Sequence, residues 1–292
     1  MRNMEFTFIG GDNRQKKVAI TLAMSGSIVR VFGLEVMEHE NLKNYQEMHT
    51  ELFQSQVVML PIPYRNKEGG IHIIDKDVHI EPKALFSKLK QGTIVIYGKM
   101  DKEVENLCEQ YSVLGYDLLQ EESFAIRNAI PTAEGAIQRA MERTDITLHG
   151  AKVLILGYGR IGRGLSRMLQ GIGSQVSVEA RKNEDLAWIE ESGYKAVPYN
   201  ELDSVLDHQD IIFNTIPALI LDRNKLAKIK SSCIIIDLAS HPGGVDFEAA
   251  KELGISASLD LGLPGHVAPK TAAEIICTVT QEILRDLQSM EG

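Results

Sequence analysis

Short apolar runs alternate with amphipathic stretches along most of the chain. Residues 6–9, 28–32, 57–60, 93–97 and 116–119 read as strands, the third stopped by Pro61. Between them, residues 12–24, a segment ending near Lys90 and residues 103–111 have helical spacing. Strand and helix in strict alternation predict a parallel sheet with helices on its faces. Residues 65–82 break the pattern. Gly69-Gly70 followed by Ile71-His72-Ile73-Ile74 suits a hairpin or a long surface loop.

A helix is predicted to begin near Pro131, with Ala133, Ile137, Ala140 and Met141 at helical spacing, and it reads as a connector. Strands follow at 153–156, 175–179, 210–214, 233–238 and 255–259. Helices at 184–192 and 246–253 end on Gly193 and Gly254. The last element runs from about Pro269 to Gln288 and keeps Ile275, Ile276, Val279, Ile283, Leu284 and Leu287 on one side. We expect this tail to cross back to the first half of the chain. The fold class is α/β, with two Rossmann-like domains. Residues 131–267 form a doubly wound, parallel-sheet NAD(P)-binding domain. Residues 1–130 and 268–292 form a smaller α/β substrate domain completed by the C-terminal helix. Ligands in such sheets bind beyond the C-terminal strand ends, so the cleft between the domains is the expected active site.

The chemistry is concentrated where one strand meets a helix. Val153-Leu154-Ile155-Leu156 enters Gly157-Tyr158-Gly159-Arg160-Ile161-Gly162, and apolar helical positions follow. Gly157 permits the tight turn, Gly159 lets a pyrophosphate approach the backbone, and Gly162 lets helix and strand pack closely. The bland alternative is a glycine turn that holds no nucleotide. The strand before, the helix after and a second strand at the right distance argue against it.

That second strand ends in Val178-Glu179-Ala180-Arg181-Lys182. NAD enzymes place an acid about 20 residues past the motif, on the ribose 2′-hydroxyl. Ala180 stands at that position here. Glu179 is one residue early, so strand alternation points it to the other face. Arg181 and Lys182 suit a 2′-phosphate, which a carboxylate would repel. The predicted cofactor is therefore NADP, with the alternative that Arg181 and Lys182 merely solvate a loop.

Composition narrows the rest. The chain has 292 residues, 44% hydrophobic and 24% charged, which suffices for two domains with good cores. A net charge of −9 argues against general binding to nucleic acid or a membrane surface. Cys108, Cys233 and Cys277 are scattered and odd in number, so neither a disulfide framework nor a metal site is expected. No secretory pattern opens the chain, and no apolar run approaches the roughly 20 residues that span a bilayer. A cytoplasmic protein in a reducing compartment is the expectation.

Other strings stand at strand ends. Asn214-Thr215-Ile216-Pro217 and Asp237-Leu238-Ala239-Ser240 are expected to line the nicotinamide half of the cofactor. Pro264-Gly265-His266-Val267-Ala268 is faintly similar to the Pro-His-Ile-Ala string of 2-hydroxyacid dehydrogenases, where the histidine is the acid/base. No Arg stands near Ser240-His241, so that family's Arg-Glu-His set is not assembled. His241 and His266 remain candidate acid/base groups, with loop histidine as the plainer reading of each. Lys270 and Thr271 sit where they can donate to a substrate carboxylate, and Arg14 can fork onto another. Asn128 can touch substrate. Asp12 reads more simply as a helix cap, and Gly10-Gly11 lacks the third glycine of a second dinucleotide site.

Taken together and in order, these strings resemble the A-subunit family of dipicolinate synthase over nearly the whole chain. They are Gly10-Gly11-Asp12-x-Arg14-Gln15, Ile130-Pro131-Thr132-x-Glu134-Gly135, Gly157-x-Gly159-Arg160-x-Gly162, Asn214-Thr215-Ile216-Pro217, Asp237-Leu238-Ala239-Ser240-x-Pro242-Gly243-Gly244 and Gly262-Leu263-Pro264-Gly265-x-Val267-Ala268-Pro269-Lys270-Thr271-Ala272. The family's pattern does not fix His at 241 or 266. The resemblance implies NADP-linked oxidation of a dihydro- or hydroxytetrahydro-dipicolinate, from the lysine branch, to dipicolinate (pyridine-2,6-dicarboxylate). It also implies the flavoprotein-like B-subunit of dipicolinate synthase as partner and the mother cell of a sporulating bacterium; a homo-oligomer is a separate expectation. Two alternatives stay open. One is another two-domain dehydrogenase of the alanine or 2-hydroxyacid type, and the other is a non-catalytic NADP-binding subunit.

Overall fold

The computed structural model describes residues 4–99 and 101–290. The chain divides into two compact units. One runs to Arg127 and resumes at Pro269, and the other is Asn128–Ala268.

The first unit carries six parallel strands: β1 (Glu5–Ile9), β2 (Ile28–Phe32), β3 (Leu42–Tyr45), β4 (Val57–Met59), β5 (Ile94–Tyr97) and β6 (Leu114–Asp117). Their order across the sheet is β3-β2-β1-β4-β5-β6. Helices α1 (Asn13–Met24), α2 (Pro82–Phe86) and α3 (Lys102–Tyr111) connect them. Alternation sends Phe6, Phe8, Val29 and Val31 to one face, under Val18 and Leu22 of α1. Ile9, Val58 and Val95 go to the other, against Leu85 and Phe86 of α2 and Val104 and Leu107 of α3.

Helix α4 (Glu122–Arg143) starts nine residues before Pro131, which lies inside it and not at its head. The division between the units falls within this helix. An internal proline removes one backbone donor and costs about 3 kcal/mol. Burial of Phe124, Ala129, Ala133, Ala136 and Ala140 along the helix offsets that cost.

The second unit repeats the plan with β7 (Lys152–Leu156), β8 (Gln175–Ala180), β9 (Lys195–Pro198), β10 (Ile211–Asn214), β11 (Ile234–Asp237) and β12 (Ser256–Leu259). Its order is β12-β11-β10-β7-β8-β9. Helices α5 (Arg160–Ile172), α6 (Asn183–Glu191), α7 (Arg223–Leu226), α8 (Phe247–Glu252) and α9 (Leu263–Val267) complete it. Counted within its own unit, each sheet reads 3-2-1-4-5-6, the doubly wound order that opens a crevice beside its first strand. The N-terminal unit, expected to be the smaller, thus has a sheet of equal strand number.

The sequence pattern does not reveal β3 and β9. Leu-Lys-Asn-Tyr and Lys-Ala-Val-Pro are short edge segments with few apolar residues. The last helix, α10 (Pro269–Met290), returns to the first unit, where Ile276, Val279, Ile283 and Leu284 join the core beside α1.

Candidate functional site

β7 delivers the chain into the glycine turn. Gly157 sits at φ +94°, and a Cβ there would stand 2.7 Å from Thr215 Oγ1. A Cβ on Gly162 would lie 2.1 Å from the Gly157 carbonyl oxygen, so α5 can approach β7 only without a side chain there. Gly159 differs. It is the N-cap of α5, has no side-chain cap, and a Cβ on it would meet nothing within 4 Å. The start of α5 therefore has open space beside its N-cap glycine. That is the geometry in which a helix N-terminus takes a pyrophosphate. Arg160 is exposed at the first helical position, and Ile161 behind it is half-buried against the core.

Across the sheet, Asn214 and Asp237 end β10 and β11 with no exposed surface. Asp237 accepts from Asn214 Nδ2 (2.8 Å), Ala239 N (3.0 Å) and Gly244 N (2.7 Å). Asn214 also donates to the Ile216 carbonyl (3.0 Å) and accepts from the Ile216 N–H (3.1 Å). The polar atoms of these two side chains are spent on each other and on the loops. Leu238 and Ala239 are buried as well. The segment beyond β10 is more open: Thr215 and Ile216 are half-buried and Pro217 is exposed, with Thr215 Oγ1 donating to the Leu156 carbonyl (2.8 Å).

At the end of β8, alternation is observed as expected. Val176, Val178 and Ala180 enter one apolar cluster, so Ala180 is a core residue. Arg181 and Lys182 are exposed and make no ion pair among the described residues. Glu179 points the opposite way, between its cross-strand partners Leu156 and Val197, and none of its surface reaches solvent. Neither of its carboxylate oxygens has a hydrogen-bond partner. Burial pushes its carboxyl above the usual glutamate range, against the opposing pull of Arg181 and the Gly157 N–H. Sequence reasoning alone sets Glu179 aside. The signal that marks it is an acid flanked by valine and alanine inside an alternating strand.

In the first unit, the corresponding turn is closed. Gly11 N donates to the His72 carbonyl (3.0 Å), and a Cβ on Gly10 would lie 2.4 Å from that oxygen. Residues 65–82 are thus no mere surface loop, since Ile71 is buried and the backbone after it plugs the turn. Asp12 caps α1 in a reciprocal box with Gln15. Arg14 forks onto Asp12 (2.7 Å from Nη2) and donates to the Ile62 carbonyl, so most of its donors are already engaged. Burial raises the Asp12 carboxyl, but the hydrogen bond and charge of Arg14 outweigh it and hold Asp12 below the usual range.

Lys270 and Thr271 are exposed in the first turn of α10, in the first unit. Asn128 lies in α4, and its carbonyl accepts from Thr132 Oγ1. His241 and His266 are exposed in the second unit, His266 on α9. Among the described residues no group of His, Cys, Asp and Glu is arranged to hold a metal, and no helix is long and apolar enough to cross a membrane. A cavity of about 450 Å³ opens at the opposite edge of the second sheet, where Lys152, Gln175 and Lys195 begin their strands. Catalytic chemistry in this fold belongs to the other edge.

Doubly wound order, an open glycine turn and an uncapped helix start define a dehydrogenase-type unit that takes a nicotinamide dinucleotide. Residues 124–248 match the D-isomer specific 2-hydroxyacid dehydrogenase, NAD binding domain. Residues 5–119 match the N-terminal domain of the dipicolinate synthase A-subunit. The chain is 33% identical to the dipicolinate synthase A-subunit of Bacillus subtilis (strain 168), over 100% of this chain and 99% of that one. It belongs to the dipicolinate synthase A-subunit family. The crystal structure of the A-subunit from Bacillus halodurans superimposes with a TM-score of 0.90 at 33% identity, over 97% of this chain and 98% of that one. A transhydrogenase from Sinorhizobium meliloti shares the fold alone, with a TM-score of 0.70 at 16% identity over 96% and 94% of the two chains.

Proposed function

We propose that this chain oxidises a dihydro- or hydroxytetrahydro-dipicolinate to dipicolinate with NADP as acceptor. The single observation that carries the coenzyme assignment is the end of β8. Two exposed cations, with no ion pair among the described residues, follow a buried alanine where a ribose-binding acid would stand. The substrate assignment rests on family membership, since the Bacillus relative is named for dipicolinate synthesis.

Each residue has a definite task in this reading. The backbone at Gly157, Gly159 and the start of α5 binds the pyrophosphate, and Arg181 with Lys182 binds the 2′-phosphate. Thr215-Ile216-Pro217, fastened from behind by Asn214 and Asp237, walls the nicotinamide side. Lys270 and Thr271 bind a substrate carboxylate, with Arg14 as a further cation whose charge is already shared with Asp12. A nicotinamide coenzyme held there would supply a hydride acceptor for a ring carbon of the substrate. In the dihydro substrate a proton leaves to a base as well, so the ring loses two hydrogens and two electrons and becomes aromatic. The hydroxytetrahydro substrate must also lose water. In this reading Asn128, His241 and His266 are the candidates to order substrate or take that proton. The B-subunit of dipicolinate synthase as partner, a homo-oligomeric assembly, and action in the mother cell of a sporulating bacterium, off the lysine branch, complete the reading.

The test is NADPH formation by the purified chain with freshly generated substrate, with and without the B-subunit. Turnover by the chain alone is expected. NADPH formed only when the B-subunit is added would assign the chemistry to the assembly. No turnover in either case, with NADPH still bound, would reduce the chain to a coenzyme-binding component.

A further inference from the structure

A carboxyl with no exposed surface and no partner for either oxygen is costly if ionised, by several kcal/mol. Glu179 is in that position, one residue before the expected ribose site and two before Arg181. Its strand neighbours Leu156 and Val197 are apolar, as are Leu154, Leu202 and Ile212 on the same face, with Ile216 against them. Arg181 is the charged group that acts on it, and the Gly157 N–H is the nearby dipole. A ribose hydroxyl cannot reach a residue with no solvent contact unless the strand end rearranges. Glu179 is therefore not a ribose ligand in waiting.

We propose that Glu179 is a specificity-determining residue: as a neutral carboxylic acid it leaves the charge of Arg181 to the coenzyme's 2′-phosphate, and once ionised it cancels that charge. This rests on the NADP reading above. Arg181 lies just past the end of β8, two residues after Glu179, exposed where the acid is buried, and near enough for its charge to act on the carboxyl. Loss of the proton places a negative charge near the cation that the phosphate needs. By linkage, binding of the phosphate draws a proton onto Glu179. A 2′-hydroxyl coenzyme has no charge there and is indifferent.

The experiment titrates NADPH and NADH against wild type, Glu179→Gln and Arg181→Ala across the pH range, by protein fluorescence and by calorimetry in buffers of different ionisation enthalpy. The glutamine is neutral at every pH and nearly isosteric. Wild-type affinity for NADPH is expected to weaken about 10-fold relative to Glu179→Gln as the carboxyl ionises, the size of one unit of pKa change. Wild type should also take up more protons than the variant on binding NADPH. NADH should show neither difference. Arg181→Ala should remove the pH effect along with the NADPH preference. Parallel NADPH curves for wild type and Glu179→Gln, with equal proton uptake, overturn the inference. Loss of NADH binding in Glu179→Gln overturns it too, because the acid would then be a ribose ligand. Tighter NADH than NADPH binding at every pH is a separate result that removes the NADP reading. If Glu179→Gln does not fold, Glu179→Leu replaces it, carrying the same expectation of no proton linkage.

Discussion

Glu179 and Arg181 stand two residues apart with opposite formal charges and opposite exposure, and that contrast sets what each contributes. Arg181 is outside and makes no ion pair among the described residues, so its loss should fall on coenzyme choice. Arg181→Ala is expected to weaken NADPH by about 1.5–3 kcal/mol, the worth of a charge-assisted hydrogen bond, while leaving NADH unchanged in the same titration. Glu179 is inside, and besides its bearing on coenzyme choice its ionisation bears on stability. The folded chain holds its proton to higher pH than the unfolded chain does. Its contribution is fully present below the ordinary glutamate pKa, about 4.3, and is lost as pH rises through the raised folded value. Thermal melts should show wild type losing ground to Glu179→Leu as pH climbs through that window. A wild-type curve that runs parallel to the variant's would mean the carboxyl has a partner. Alternation alone places Glu179 on the apolar face. Its lack of a partner is not legible in the sequence, because that depends on β7 and β9 lying either side.

At the scale of the element, the glycine turn was legible because each glycine answers a different steric demand. The structure separates those demands. Gly162→Ala drives a methyl into the Gly157 carbonyl, so both folding of the second unit and coenzyme binding should suffer, the former by a few kcal/mol. Gly159→Ala meets nothing in the free protein, so its stability in thermal melts should match wild type to within about 0.5 kcal/mol. Its coenzyme affinity should nonetheless fall at least 10-fold, since the methyl occupies the side from which the pyrophosphate arrives. Equal coenzyme affinity in both proteins would move the phosphate elsewhere. Other elements were illegible for identifiable reasons. Pro131 reads as a helix start because proline is favoured in a first turn. The true start at Glu122 comes from a segment, Glu122-Ser123-Phe124, with little apolar periodicity of its own. β3 and β9 sit at sheet edges, where half the hydrogen bonding and most of the hydrophobic signature are dispensable.

The whole molecule uses one strand order twice and opens only one of the two turns. In the first unit the His72 backbone fills the space above Gly10 and Gly11, and Asp12 caps the helix that would otherwise attract a phosphate. Calorimetric titration should therefore saturate at one NADPH per chain, and two would contradict the closed turn. The missing third glycine foretells this, but not the plug itself, which comes from about 60 residues downstream. That same plan has a consequence for how the protein is made. Since α1 and β1 share their core with Ile276, Val279 and Ile283, the unit begun first on the ribosome cannot close until the unit begun second has already emerged. Its half-built apolar sheet must wait, exposed, through the synthesis of some 140 intervening residues, and so it is the stage at which a chaperone would find most to hold.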